Sequence, residues 1–311
     1  MEQLGFVIEA HEAESMAKQS GLTVLELLPT LVNSARSLAR TPISNYCVGA
    51  VGLGSSGRIF FGANLEFPGL PLHHSVHAEQ FLITNLTLNA EPKLNSVAVS
   101  AAPCGHCRQF FQEIRHAPDI QILVTDDSNI DNSGGAAGKN GGKKKFEPLS
   151  HFLPHRFGPD DLLDKDFPLV LERHDNNLSL LNDSNCNNNI PNGISTVICD
   201  DLKYEALEAA NKSHAPYSKC PSGVALMDCE GKIYRGSYIE SAAYNPSLGP
   251  AQAAIVSYLV KGGGGGYEKI VAAVLVEKEG AVVRQEYTAR LLLQTISSKC
   301  EFKVFHCGSR S

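Results

Sequence analysis

No stretch of this sequence sustains the roughly 20 consecutive apolar residues that a membrane-spanning helix needs, so no membrane partner is expected. Positive charge is not in surplus either: 27 Lys and Arg stand against 33 Asp and Glu, a net charge of −6. That balance offers no sustained cationic face for a phosphate backbone, and nucleic acid is excluded as an expected partner. A basic leader is missing, since the first residues carry Glu2, Glu9, Glu12 and Glu14, and the expected location is cytoplasmic. Tryptophan is absent altogether. Cysteine is not scarce, but its nine copies are odd in number and scattered from Cys47 to Cys307, in a chain large enough to bury a core without covalent staples. Cys104 and Cys107 form the one close pair; Cys47, Cys186, Cys199, Cys220, Cys229, Cys300 and Cys307 read as buried or surface thiols.

At 311 residues the chain is long enough for two compact units. Apolar spacing predicts a helix over 23–39, capped by Thr23 and interrupted near its start by Pro29. Two short β-rich runs, 48–53 and 59–63, flank Gly54-Ser55-Ser56-Gly57 and predict a hairpin. A helix over 78–88, a strand over 96–101, a helix over 104–114 and a strand over 120–125 follow. A hairpin followed by alternating helix and strand implies an α/β fold with helices on the faces of a mixed sheet. The Gly-, Asn- and Ser-rich stretch 126–145, which ends in three lysines, and the Asn-rich stretch 175–193 have too little apolar surface to pack. Gly262 to Gly266 reads as a flexible connection.

Pro42, Ser44, Gly49, Gly57, Ile59, Gly62 and Glu66 recur as Pro216, Ser218, Gly223, Gly231, Ile233, Gly236 and Glu240, each 174 residues further on. Seven identities at one spacing imply a duplicated supersecondary unit. The expected division is an N-terminal extension over 1–20, a first domain over 21–125, a loop-rich linker over 126–200 and a second domain over 201–311.

His77-Ala78-Glu79 is followed, one helix and one strand later, by Pro103-Cys104-Gly105-His106-Cys107. One imidazole and two thiolates make three zinc ligands, and three rather than four is the mark of a catalytic ion with a position left for water. Glu79, two residues from His77, can face the same pocket as a proton carrier without occupying the metal. A structural zinc would need a fourth ligand: His73 and His74 read as loop histidines, and His106 as pointing elsewhere on its helix. Cys104-Gly105-His106-Cys107 also spells a disulfide-exchange motif, but a proline stands where such motifs carry tryptophan, and that reading leaves Glu79 without a role. Arg108 could temper the thiolate charge or be an ordinary exposed helix residue, and Gln80 is undecided. Aligning helix starts places Pro250-Ala251-Gln252 opposite His77-Ala78-Glu79, so the second copy lacks ligand and acid alike.

The H-x-E and P-C-x-x-C spellings are the recorded signature of zinc base deaminases. With Tyr46, Asn64-Leu65-Glu66-Phe67, Gln80, Arg108-Gln109-Phe110 and Phe157-Gly158-Pro159, residues 23–300 resemble the two-domain, homodimeric cytidine deaminases. The resemblance implies a three-layer, mixed-sheet fold, duplicated, with an active first copy and a degenerate second one. It implies one Zn2+ per chain, held by His77, Cys104 and Cys107 in the first domain alone. It further implies hydrolytic deamination of cytidine and 2′-deoxycytidine in pyrimidine salvage, a metal-activated water adding at C4 while Glu79 carries protons. Asn64 and Glu66 would hold the ribose 3′-hydroxyl, Tyr46 would lie close to the pyrimidine ring, and Ala78 would be a further substrate-binding residue. Phe157, Ala242, Ala243 and Tyr244 of the other subunit of a homodimer would complete the pocket. A polynucleotide deaminase shares this chemistry but would need a cationic groove with stacking aromatics. A catalytically dead nucleoside-binding protein would be the remaining alternative, against which the intact first motif argues.

Overall fold

The computed structural model describes residues 5–125, 145–181, 196–262 and 265–310. The stretch 126–144, most of the expected loop 175–193 and two residues of the Gly262 to Gly266 connection lie outside the described residues. The chain divides into two compact units, one formed by the residues up to Leu65 with His77–Arg156, the other by Glu66–Val76 with the residues from Phe157 onward.

The first unit contains β1 (Val7–Ile8), α1 (Ala10–Ser20), α2 (Val24–Arg36), β2 (Gly49–Gly54), β3 (Ile59–Ala63), α3 (Ala78–Leu88), β4 (Leu94–Val99), α4 (Gly105–Phe110), β5 (Gln121–Val124), β6 (Glu147–Pro148) and α5 (Leu149–Phe152). Its sheet runs β1-β3-β2-β4-β5-β6. All neighbours are antiparallel except β4 and β5, which pair in parallel with Val97 opposite Ile122. A parallel pair needs a crossover, and α4 supplies it, starting just beyond the carboxyl end of β4.

Residues 7–20, read from sequence as an extension, form β1 on the edge of the sheet and α1, whose Ala13 and Ala17 are buried with Leu27, Leu28, Leu31 and Val32 of α2. The inward stripe of α1 is made of alanines, which carry little hydrophobic contrast. Thr23 caps α2 as expected: its hydroxyl accepts the Glu26 N–H at 3.2 Å while Glu26 accepts the Thr23 N–H at 2.9 Å. This helix stops at Arg36 rather than at 39, because the chain turns away for the Arg40 N–H to reach the Asn64 carbonyl. The helix expected over 104–114 likewise tightens into a 3-10 turn at Phe111–Glu113.

Helices lie on both sheet faces because alternate strand residues face opposite ways. Val51, Ile59 and Phe61 turn toward α1 and α2. On the other face lies α3, buried from Ala78 through Leu86. Two glycines set how closely the layers approach. A Cβ on Gly49 would overlap the backbone of Val32, Ala35 and Arg36, and one on Gly62 would overlap the Ala78 carbonyl and Leu82.

The second unit contains α6 (Pro159–Leu162), β7 (Leu178–Leu180), α7 (Thr196–Asn211), β8 (Ser222–Asp228), β9 (Ile233–Ser237), α8 (Pro250–Val260), β10 (Ile270–Lys278), α9 (Glu286–Ile296) and β11 (Glu301–Ser309). Its sheet, β7-β11-β10-β8-β9, repeats the order of β6-β5-β4-β2-β3, again with a single parallel pair, β10 and β11. Gly223 and Gly236 meet α7 and α8 as Gly49 and Gly62 meet α2 and α3. The turn that precedes each hairpin holds a left-handed residue 174 positions apart, Asn45 at φ 55° and Lys219 at φ 57°. Among the described residues no helix is long and apolar enough to cross a membrane.

Backbone cannot yield to an added methyl as a flexible side chain can, so Gly62→Ala and Gly236→Ala should each lower unfolding free energy by about 2 kcal/mol. Urea denaturation measures that loss. Metal content should separate the two, because Gly62→Ala displaces the start of α3 and lowers zinc occupancy, whereas Gly236→Ala leaves it unchanged.

Candidate metal centre and active site

Two helix starts in the first unit build the centre. His77 is the N-cap of α3, at φ −77° and ψ 155°, and Cys104 is the N-cap of α4, at φ −67° and ψ 168°. Cys107 lies one turn into α4 and is fully buried, whereas Cys104 reaches solvent. His77 Nδ1 sits 3.5 Å from Cys104 Sγ and 3.3 Å from Cys107 Sγ, and the sulfurs are 3.7 Å apart. With Zn–S near 2.3 Å and Zn–N near 2.0 Å, a tetrahedral ion holds two sulfurs about 3.8 Å apart and nitrogen about 3.5 Å from each. The donor set therefore fits one zinc, and His77, Cys104 and Cys107 form the zinc ligand group.

Among the described residues no fourth histidine, cysteine or acidic ligand joins them. His106 is not a ligand; its ring stacks on that of His77, centroids 5.4 Å apart at 20°. The His73 and His74 rings lie against each other at a 34° tilt in the 3-10 turn Leu72–His74, and His74 is buried rather than solvated. Cys104 and Cys107 are not bonded to each other, and Cys107 Sγ faces both His77 and Glu79, the two groups that the disulfide-exchange reading leaves without a role.

The charges explain why a cation belongs there. The Cys107 S–H hydrogen bond, the neighbouring imidazole and the first amides of α4 favour the Cys104 thiolate, bringing its pKa down to about 3. The hydrogen bond to Cys104 and burial hold Cys107 in its thiol form, well above the usual range. The bond to Cys104 raises the His77 imidazole. Burial pushes the Glu79 carboxyl upward. Glu79 is 4% exposed, with Oε2 3.3 Å from Cys107 Sγ, beside the ligand group but outside it.

Asn64 and Tyr46 come together. The Asn64 side chain accepts the Val48 N–H at 2.8 Å and donates to the Tyr46 carbonyl at 2.9 Å, so it carries the segment that presents the half-exposed Tyr46 ring. Ala78 is buried between His77 and Glu79. Glu66 is half-buried at the start of the second unit. Phe157 and Tyr244 in that unit are 44% and 68% exposed, Ala243 is exposed and Ala242 is buried. Tyr244 stands at φ 62° on a turn closed by its N–H to the Ser241 carbonyl at 2.8 Å.

Three neighbours of the ligands were not resolved by sequence reasoning. Gln80 is 2% exposed and accepts the His77 N–H at 3.1 Å. An N-cap residue followed three positions later by Gln is the signal that could have shown it. Arg108 is not an exposed helix residue: it donates to the Pro103 carbonyl at 2.6 Å and to the Phe152 carbonyl at 3.1 Å, bracing the approach to Cys104. His106 carried no local signal, because its partner belongs to another helix.

In the second unit the same two helix starts carry Gly249 and Gln285. The pairing made from sequence is one residue out of step. Gly62 meets Ala78 and Leu82 where Gly236 meets Pro250 and Ala254, so Gly249-Pro250-Ala251-Gln252 stands opposite His77-Ala78-Glu79-Gln80. Proline suits the first helical position, not the cap. Ligand and acid remain absent, but Gln80 has a counterpart in Gln252. Tyr238 replaces Asn64 and is buried, hydrogen-bonded to Ser247 and Gln285. Glu240, the counterpart of Glu66, accepts the Tyr217 and Ser218 N–H groups at 2.9 and 3.1 Å, a purely structural use.

His77→Ala and Cys104→Ala should each purify without zinc, where the unaltered chain carries one ion. Elemental analysis per polypeptide is the check, and full occupancy in either variant would remove that residue from the ligand set.

Two family models, both described as the cytidine and deoxycytidylate deaminase zinc-binding region, match the chain, one over residues 23–123 and the other over 149–290. The chain is 66% identical over 308 residues to cytidine deaminase 1 of Arabidopsis thaliana, covering 99% of each, and 49% identical over 299 residues to cytidine deaminase 6 of the same plant, covering 94% of this chain and 96% of the relative. A crystal structure of cytidine deaminase from Mycobacterium tuberculosis is 24% identical, spans 43% of this chain and 96% of its own, and superposes with a TM-score of 0.34. Full-length identity of this order, with the family region matched twice, means that the chain belongs to the cytidine deaminase family.

Proposed function

We propose that this chain hydrolyses cytidine, and 2′-deoxycytidine, to uridine or deoxyuridine and ammonia, as a step of pyrimidine salvage. The observation that carries the reading is a buried carboxylate, Glu79, placed 3.3 Å from one of the zinc-binding sulfurs yet not itself one of the ligands. The names of the relatives support it.

His77, Cys104 and Cys107 would hold the zinc, which when bound supplies a Lewis acid able to bring the pKa of water from about 15.7 to about 7. Glu79 moves the protons. One of its oxygens takes a proton from the attacking water and delivers it to ring N3, and a second transfer goes to the departing amine at C4. Water enters, ammonia leaves, and the carboxylate ends as it began. Its burial keeps bulk water from competing for these protons.

The Asn64 amide retains one N–H and one lone pair beyond its two backbone bonds, which suit a ribose 3′-hydroxyl, and the family resemblance assigns Glu66 to the same hydroxyl. Tyr46 would lie close to the pyrimidine ring, and Ala78 would be a further substrate-binding residue. Phe157, Ala242, Ala243 and Tyr244 of a second copy would close the pocket, which makes a homodimer the working form; the exposure of Phe157, Ala243 and Tyr244 in one chain supports this. The free thiols fit a reducing compartment such as the cytoplasm.

Ammonia release from cytidine tests the reaction. Glu79→Gln should keep its zinc and lose at least about 100-fold in kcat. A normal rate in that variant would sink the assignment. Asn64→Ala should lower kcat/KM by about 1–3 kcal/mol in free-energy terms. For the dimer, specific activity should fall on dilution together with the sedimentation coefficient; a fully active monomer would remove the partner residues from the site.

A further inference from the structure

One side chain ties the two helix starts of the metal centre together. Gln80 uses Oε1 to accept the His77 backbone N–H at 3.1 Å, and its Nε2, 3.4 Å from His106 Nε2, donates to that ring nitrogen. An amide nitrogen has only protons to offer, so His106 accepts at Nε2. The His106 ring so held lies nearly parallel to the His77 ring. His77 turns Nδ1 toward the sulfurs, and a histidine ring rotates easily about its second side-chain torsion unless neighbours stop it. We infer that Gln80 and His106 form a bracket that fixes the plane of the His77 ring and thereby sets the affinity of the centre for zinc. Gln80 anchors the ring's backbone and, through His106, covers its face.

A plain alternative is that the glutamine only caps a helix. The second unit supplies the comparison, because Gln252 stands at the matching position of α8, beside Gly249, with no ligand to orient. Loss of a cap alone should therefore lower stability at either site, whereas loss of the bracket should also loosen the metal.

The inference rests on the zinc reading of His77, Cys104 and Cys107. The test is competition for zinc against a chromophoric chelator, with the full-length protein, alongside thermal unfolding of each metal-free form. The unaltered chain should bind one zinc. Gln80→Leu and His106→Ala should each weaken binding about 10- to 100-fold, the scale seen when groups behind metal ligands are removed. The double variant should be little worse than either single one, because both remove the same bracket. His106→Phe, which keeps a flat ring over His77, should restore much of the affinity, and Gln252→Leu should lower stability without altering it. Affinity within twofold of the unaltered chain in both Gln80→Leu and His106→Ala would overturn the bracket while leaving the zinc site standing. No zinc bound by the unaltered chain would overturn both.

Discussion

Cys107 and Glu79 are buried 3.3 Å apart, and a second thiol stands 3.7 Å from the first. Ionised together, the buried Cys107 and Glu79 would repel one another strongly where water does not screen them, Cys104 at the solvent edge would add a further negative charge, and a single imidazole does not offset that. A divalent cation does. The remaining construction of the first unit serves to bring these groups to one point: the Gly62 approach lowers α3 onto β3, and the parallel β4 and β5 pair needs the crossover in which α4 starts just beyond the carboxyl end of β4. Both helices then present their unpaired first amides, which favour negative charge, to the same place.

The second unit shows which of these features belong to folding and which to chemistry. Its glycines at the two close helix approaches, its strand order and its left-handed turn residue all persist. What has gone is the charge: Gly249 and Ala251 leave no ligand and no acid, and Tyr238 and Gln285 hydrogen-bond each other where the first unit keeps Asn64 and Cys104. Without thiolates there is no repulsion to relieve, and neutral groups can be buried against one another in the ordinary way. Glycine retention follows from sterics alone and is indifferent to the loss of metal.

Much of this was legible in the chain itself, for identifiable reasons. The ligands and Glu79 stood out because zinc chemistry restricts residue type and spacing together. Strand 59–63 and helix 78–88 were placed to the residue, since each is bounded by strong local signals. The duplication was visible because both copies carry glycine where a Cβ would overlap helix backbone, at Gly49 and Gly62 and again at Gly223 and Gly236. Less legible were elements held by tertiary contact: α1, whose buried stripe is alanine, and the pairing of α8, where the sequence sets Pro250 opposite His77 although Gly249 is the cap and Pro250 the first helical residue. The layer around the ligands was hidden for a related reason. Gln80 bonds to His106 and Arg108 to the Phe152 carbonyl on other segments, and only the folded chain brings those segments within reach.

Helix α3 has almost no water-facing side between Ala78 and Leu86, and even its polar Asn85 is spent on the carbonyls of Phe6 and Phe61, at 2.8 and 3.0 Å. A helix of that kind cannot fray on its own, because every partial opening strands buried groups. Its amide hydrogens should exchange with solvent only when the surrounding core opens as a whole. On heating, the centre would not soften by degrees: it would keep its shape until the core around α3 melted, and then disappear in the same cooperative step.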